Sequence, residues 1–371
     1  MQMMPKTFAC AVLAVCFIFL LADLKAVQGV TPYHADLSGN TIVDFSDFAE
    51  LARDWGKAGS GLQGDLNSDQ VVDFNDLHAL ASNWQSTWIP ISTAEDLQAI
   101  DNDYQACYVL VNDIDARATA TWNGGRGFNP VGNWSFFAGS LIGNGHSIQG
   151  LHIDRPSQMR IGLFARLESS AKISDVRLTD VFVRGESLVG ALVGEALGAR
   201  ISRVSSTGVV EAVDQAAGGI AGQMYPGRIV DSFSECNVVA DSAVGGIAGQ
   251  LLGGAIAERC YSTGDVAGGY HSIGGLAGHF ADAIIADCYS VSGVSGPFLK
   301  GGLVGNVMGG SWVISRSYYT DSVYIAGFGT FEPAGPAAFV GTAHQHPVYL
   351  YWDFDNIWSA HSDRFPTLTN H

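Results

Sequence analysis

Cysteine is scarce in this chain. Of six, Cys10 and Cys16 fall in the first apolar run, and Cys107, Cys236, Cys260 and Cys288 are too few and too scattered for a disulfide framework. Order must therefore come from packing and bound metal. Positive charge is also short, with 19 Lys and Arg against 36 Asp and Glu and a net charge of -17. Such a surface repels phosphate and excludes nucleic acid as a partner. Charged residues make up only 15% of the chain while glycine supplies 46 of its 371 positions, a balance that favours a β-rich repeat over a helical bundle. After residue 29 no apolar stretch is long enough to cross a bilayer, so no membrane span is expected in the mature chain. The string His-Glu-x-x-His does not occur, which removes the metallopeptidase that uses it.

The N-terminus reads as a targeting segment. Lys6 precedes the apolar run Thr7 to Ala22, and Val27-Gln28-Gly29 offers small residues for a signal peptidase. That run falls short of the ~20 residues a spanning helix needs, so a cleaved signal over residues 1–29 is favoured over a retained anchor. Cleavage would remove Lys6, Lys25 and Asp23 and shift the net charge from -17 to -18. The expected location is secreted, extracellular or associated with a cell surface.

Next comes a doubled motif. Residues 36–47, Asp-Leu-Ser-Gly-Asn-Thr-Ile-Val-Asp-Phe-Ser-Asp, put side-chain oxygens at positions 1, 3, 5, 9 and 12: Asp36, Ser38, Asn40, Asp44 and Asp47. Ile42 at position 7 would add its carbonyl. The pattern returns from Asp65 to Asp76, with Asp65, Asn67, Asp69, Asp73 and Asp76 as the oxygen donors and Val71 at position 7. Calcium is a hard cation that takes six to eight oxygens, and alternate carboxylates and amides on a tight loop can converge on it. Two Ca2+ ions are therefore expected. Each loop leads into a short helical pattern: Phe48, Leu51, Ala52 and Trp55 in one copy, Leu77, Leu80, Ala81 and Trp84 in the other.

This unit resembles a type I dockerin over residues 33–87, the calcium-dependent module by which secreted polysaccharide-degrading enzymes attach to cohesin domains. The resemblance implies an antiparallel helix pair with pseudo-twofold symmetry and a cohesin-type domain of a scaffold protein as partner. By position, the contact residues it implies are Phe45, Ser46 and Arg53 in the first copy and Phe74, Asn75 and Ser82 in the second. The family usually has Gly at position 6, where this sequence has Thr41 and Gln70; calcium affinity is expected to fall accordingly. A calcium-stapled spacer that docks nothing is the plainer alternative.

A junction, residues 85–90, leads to Ser92-Thr93-Ala94-Glu95, read as a capping box that opens a short helix. Strand-like runs follow at 108–111 and 136–141, with a turn and strand at 143–148. From residue 162 a string of the form Gly-[Gly/Ala]-aliphatic-[Val/Ala]-Gly recurs at Gly190, Gly218, Gly245, Gly274 and Gly301, at steps of 28, 27, 29 and 27. Such a period marks stacked coils, each able to bury its apolar face only against its neighbours. Glycine is expected there both for corners with φ > 0 and for close approach between coils.

The region resembles the GLUG repeat of bacterial extracellular proteins, a group that includes relatives of IgA-specific metallopeptidases. The resemblance implies a parallel β-helix-like array without one established activity. The expected fold class is thus mostly β: a glycine-punctuated, right-handed parallel β-helix-like solenoid behind a small α-helical calcium-binding dockerin domain. The expected divisions are a signal at 1–29, the dockerin-like domain at 30–87, a leading cap at 88–160, repeats at 161–320 and a C-terminal cap at 321–371.

No catalytic residue can be assigned. A glycoside hydrolase needs two carboxylates flanking one bond, yet the position before Cys260 reads Arg203, Ser232, Arg259, Asp287 and Arg316 through the repeats, a ladder of mixed sign. Asp175, Asp231 and Glu258 are spread too loosely to pair. His344 and His346 lack a nearby carboxylate and read as a loop rather than a zinc site. Tyr261, Tyr289 and Tyr318 recur in register, ~4.8 Å apart if the coils stack. They could bind an extended glycan through their faces or simply brace the sheet. Cys260 and Cys288 read as small buried packing residues. The expected function is non-catalytic: dockerin-cohesin attachment, with a solenoid that binds polysaccharide or a cell surface. The alternative is a dockerin-bearing glycoside hydrolase or lyase with its site on the solenoid.

Overall fold

The computed structural model describes residues 35–83, 87–319, 357–359, 361 and 366–369. The signal segment 1–29, Trp84, His344, His346 and most of the C-terminal cap lie outside the described residues. The chain divides into two compact units, Met1–Ile89 and Pro90–His371.

In the first unit, helix α1 spans Phe45–Asp54 and helix α2 spans Phe74–Ser82. Asp44 and Asp73 are their N-caps, and each forms a capping box with the aspartate three residues on, Asp47 or Asp76. These caps satisfy amides that a helix start leaves without partners. The core gathers Ala35, Val43, Leu51, Leu66, Val72, Ala79 and Leu80, with Leu37, Phe48 and Leu62 packed against it. The helix face expected from spacing is only partly the buried one. Leu51, Leu77, Leu80 and Ala81 are buried, but Ala52 and Trp55 are exposed. The reason is that α1 ends at Asp54: Trp55 leaves the helical path as C-cap and sets its ring edge-on to Phe74, centroids 5.2 Å apart.

The second unit is a parallel β-solenoid of about six turns. A short helix, α3 (Ala94–Ala99), precedes the coils; Thr93 is its N-cap and Asp96 closes the box, one residue later at both ends than Ser92 and Glu95 would have it. One sheet has six strands, from Phe164–Leu167 to Val304–Val307. Its register runs Phe164, Val193, Ala221, Ala248, Ala277 and Val304, at steps of 29, 28, 27, 29 and 27. A second ladder runs Tyr108, Leu141, Ile173, Ile201, Ile229, Ala257, Ile285 and Ile314, so parallel pairing already begins at Cys107–Leu110. All but Ile314 are buried, and burying one such Leu or Ile is worth about 1.5–3 kcal/mol.

Glycine does one of its two expected tasks. None of the glycines at 190, 218, 245 or 274 has positive φ. Their task is close approach: a Cβ on Gly245 would come closer than 3.0 Å to the Ala248 carbonyl, the Ala277 Cα and the Leu276 carbonyl. The second glycine of the three middle strings faces a serine: a Cβ on Gly219, Gly246 or Gly275 would strike Ser234, Ser262 or Ser290, while at Gly302 it would strike the Tyr319 ring. Those serines stack in register with Ser206, are buried, and turn inward: Ser206 Oγ donates to the Gly219 carbonyl at 2.8 Å and Ser262 Oγ to the Gly275 carbonyl at 2.5 Å. The left-handed corners fall instead on other residues. One column is Asp175, Arg203, Asp231, Arg259, Asp287 and Arg316; another is Arg160, Leu188, Ala216, Ala243, Ser272 and Leu299, all with φ between 43° and 63°.

Candidate functional site

The two acidic loops of the first unit repeat each other in backbone and in hydrogen bonding. Position 4 is left-handed in both (Gly39, φ 70°; Ser68, φ 61°), and so is position 6 (Thr41, φ 71°; Gln70, φ 68°). The position 1 aspartate takes two loop amides in each: Asp36 Oδ1 and Oδ2 accept from Asn40 and Thr41 at 3.1 and 2.8 Å, Asp65 from Asp69 and Gln70 at 3.1 and 2.9 Å. Asn40 and Asp69, at position 5, each accept the amide of the position 7 residue, Ile42 or Val71, at 2.9 Å. The match extends outward, since Ile42 bridges Thr87 and Val71 bridges Ala58, and the step from Ile42 to Val71 equals that from Ala58 to Thr87.

The aspartates at position 12 sit fully buried. Asp47 accepts from Ser38 and Asp44, and Asp76 accepts from Leu66, Asn67 and Asp73, at 2.6 to 3.1 Å. Burial pushes the Asp76 carboxyl above its ordinary value, with the Asp65 charge adding to the effect against three amides that oppose it. Asp65, Asp69 and Asp76 offer oxygens within 4.8 Å of one another. Such like charge converging on a buried carboxylate is costly by itself, and a divalent cation would offset it. The donor set of oxygens alone suits calcium better than a softer metal. Position 6 has the conformation that Gly adopts without penalty. Thr41→Gly and Gln70→Gly should therefore each tighten ion binding by up to about fivefold, read by calorimetry, since the strain relieved is about 1 kcal/mol.

Phe45 and Phe74 are 51% and 59% exposed, and Ser46, Arg53, Asn75 and Ser82 are exposed beside them. Arg53 is held by Glu50, and Ser82 Oγ donates to the His78 carbonyl at 2.8 Å. The duplication thus places two equivalent phenylalanines at the starts of α1 and α2.

On the solenoid, the charged column differs from the sequence alignment at one level. Asp231, not Ser232, occupies the corner; Ser232 turns inward in register with Cys260 and donates to the Val230 carbonyl. Signs then alternate without a break, and they pair. Arg203 grips Asp175 with two bonds at 2.6 and 2.8 Å, Arg316 grips Asp287 at 2.5 and 2.6 Å, and Arg259 holds Asp231 and Glu258. The Asp175 carboxylate holds the Arg203 guanidinium above its ordinary pKa. These carboxylates are committed to arginines, an arrangement that staples turns and offers no acid–base pair. Arg259→Ala should cost about 1–2 kcal/mol in chemical denaturation, because it strips a half-buried bidentate pair.

The aromatic column is a packed seam. Phe233, Tyr261 and Tyr289 stack face to face, centroids 4.7 and 4.9 Å apart, and Tyr318 continues the register. Tyr261 and Tyr289 are buried, however, beneath Trp358, whose ring lies 6.3 and 5.9 Å from theirs. The Tyr289 hydroxyl donates to the Pro366 carbonyl at 2.6 Å. The antiparallel pair Trp358–Ser359 and Thr367–Leu368 thus covers Tyr261 and Tyr289, whose faces a glycan would need, leaving bracing as the role of these two, while Tyr318 is half-buried. The cysteines are packing residues as well. Cys236, Cys260 and Cys288 are buried free thiols, the Cys260 amide donates to Cys288 Sγ at 3.3 Å, and burial pushes Cys236 up to about 11.

Sequence reasoning passed over two features. His271 Nδ1 and His279 Nε2 both bond Ser272 Oγ, at 2.8 and 3.0 Å, and burial with the His271 charge lowers the His279 pKa. Trp134 stands 92% exposed on a short loop. Neither the single histidines nor the lone tryptophan carried a pattern that spacing could reveal.

A parallel β-solenoid of stacked coils is therefore the class that the second unit defines. No family model matches the chain. Halomucin of Haloquadratum walsbyi is 39% identical over 141 residues, 36% of this chain and 2% of halomucin. A candidate Gly-rich membrane protein of Evansella cellulosilytica is 36% identical over 114 residues, 29% of this chain and 13% of that protein. The chain thus spans a small fraction of the length of these relatives. A crystal structure of a candidate immunoglobulin A1 protease from Bacteroides ovatus shares the fold at a TM-score of 0.57 and 18% identity, over 77% of this chain and 93% of that one. Among the described residues no helix is long and apolar enough to cross a membrane.

Proposed function

We propose that this chain is an extracellular attachment protein in which residues 30–87 form a dockerin-type module holding two Ca2+ ions, and the coils behind it, right-handed GLUG-type repeats, bind polysaccharide or a cell surface without catalysis. The observation that carries the reading is the duplication of the acidic loop, in which oxygen spacing, left-handed positions, buried closing aspartates and flanking bridges all coincide. Asp36, Ser38, Asn40, Asp44, Asp47 and the Ile42 carbonyl would hold one ion. Asp65, Asn67, Asp69, Asp73, Asp76 and the Val71 carbonyl would hold the other. Calcium supplies fixed positive charge that draws the loop ends together, and Phe45 and Phe74 with their polar neighbours would face a cohesin-type domain. Halomucin and the Evansella protein, by their names, support placement at a cell surface. Pairing of the corner carboxylates with arginine supports the non-catalytic reading of the coils.

The test is capture of the full chain on a panel of immobilised cohesin domains, with calcium and with chelator. Calcium-dependent capture, lost in a Phe45→Ala, Phe74→Ala double variant, is the expected result. Absence of capture by any cohesin, or capture indifferent to chelator, would remove the attachment reading.

A further inference from the structure

The outer face of the six-stranded sheet carries a ladder that no packing requirement explains. In register across its strands stand Arg166, Glu195, Gln223, Gln250, His279 and Asn306. All six are half-buried, one per level, between inward-facing apolar neighbours such as Met224, Leu251 and Phe280. The charges at one end satisfy each other, with Glu195 between Arg160 at 2.7 Å and Arg166 at 3.5 Å. The remainder is neutral. Among the described residues the side-chain amides of Gln223, Gln250 and Asn306 make no hydrogen bond, so each keeps donors and an acceptor for something outside.

Exposed rings border this ladder. At its first level the parallel bridges Val131 to Phe164 and Phe137 to Leu167 fix both ends of a loop, residues 132–136, that bulges where the next turn has Ala165 and Arg166. Trp134 is in that loop, 92% exposed, and the Phe136 ring lies 5.2 Å from the Arg166 guanidinium. Midway, Tyr225 directly follows the strand Ala221–Met224 that carries Gln223; it is 49% exposed, and its ring lies over Gly253 of the next turn, where any side chain would displace it. At the far levels His279 is tied through Ser272 to His271, whose ring is 4.7 Å from Tyr270, and Tyr270 meets Phe298 edge-on at 6.0 Å. Tyr270 and Phe298 are 59% and 60% exposed. A large apolar ring left in water costs free energy unless a partner covers it, and these rings stand at the first, middle and far levels of the ladder.

We infer that this face binds a single extended chain of a neutral polysaccharide, a site that rests on the polysaccharide-binding reading and gives it a location and a ligand class. Six levels at ~4.8 Å make a track about 24 Å long, the reach of several sugars laid end to end. Amides pair with hydroxyls because both groups donate and accept, and exposed rings stack on the apolar faces of sugars. Polyanions are disfavoured: the cations of the ladder are occupied by Glu195, and the chain carries a net charge of -17.

The experiment is native affinity electrophoresis of the full chain through gels containing a mixed-linkage β-glucan, a xylan, a galactomannan or, as the acidic arm, polygalacturonate. Retardation by a neutral polymer is expected, with the dissociation constant rising at least tenfold in Trp134→Ala and again in Gln223→Ala, Gln250→Ala. Both sites are at the surface, and unchanged melting verifies that the variants fold. Retardation that persists unaltered in these variants overturns the strip but leaves polysaccharide binding standing. Retardation by polygalacturonate alone overturns the neutral ligand, and retardation by none of the four overturns both the strip and the reading beneath it.

Discussion

Chelation of calcium from the full-length protein should erase the helical circular dichroism of Phe45–Asp54 and Phe74–Ser82 while the β signal of the coils persists. The first unit rests on the few apolar side chains gathered around Leu51, Val72 and Leu80, too small a core to stand far above the entropy of ordering its loops. An ion that binds only the folded state adds about 4 kcal/mol at a thousandfold excess over its dissociation constant, and there are two loops. On the proposed assignment, Asp47→Ala and Asp76→Ala should each abolish one binding event in calorimetry, since each removes a buried carboxylate and the partner of the N-cap amide together. Asp36→Ala and Asp65→Ala should weaken binding at their own loop only. Helicity indifferent to chelator would contradict the ligand assignment.

Gly245→Ala should destabilise the solenoid by about 3 kcal/mol or more, measured by chemical denaturation. The added methyl would meet three backbone atoms from Ala248, Leu276 and Ala277, none of which can rotate away as a side chain could. Relief requires prising apart two turns whose registers are fixed by continuous ladders on both sides. Gly309→Ala, where nothing lies within 4 Å, is the matched control and should fall within about 0.5 kcal/mol of the parent. Similar losses at both positions would show that close approach is not why glycine recurs.

The period and the duplicated acidic loops were legible because both are set by short-range geometry. A coil that brings backbone to backbone admits no Cβ, so glycine marks every level, and side chains that converge within one tight loop must be spaced by its turns. What stayed hidden depends on contacts distant in sequence or on residues with no intrinsic signature. Left-handed corners at Leu188, Ala216 and Leu299 are imposed by the coil upon residues that seldom adopt them. Ser232 stood in the charged column through a one-residue slip: the corner recurs in steps of 28 from Asp175 to Asp287, and the step back from Arg259 falls on Asp231, with Ser232 level with Cys260. The cover over Tyr261 and Tyr289 arrives from Trp358, remote in the chain. Trp134 drew no notice because nothing in its neighbours marks the loop as raised above the sheet.

The alternation of Asp175, Arg203, Asp231, Arg259, Asp287 and Arg316 gives the coil a grain of two. Excising a single inner turn would bring carboxylate against carboxylate or guanidinium against guanidinium at a corner that now holds an ion pair. Excising a pair would heal without a seam. The natural module for lengthening, trimming or transplanting this protein is therefore two windings.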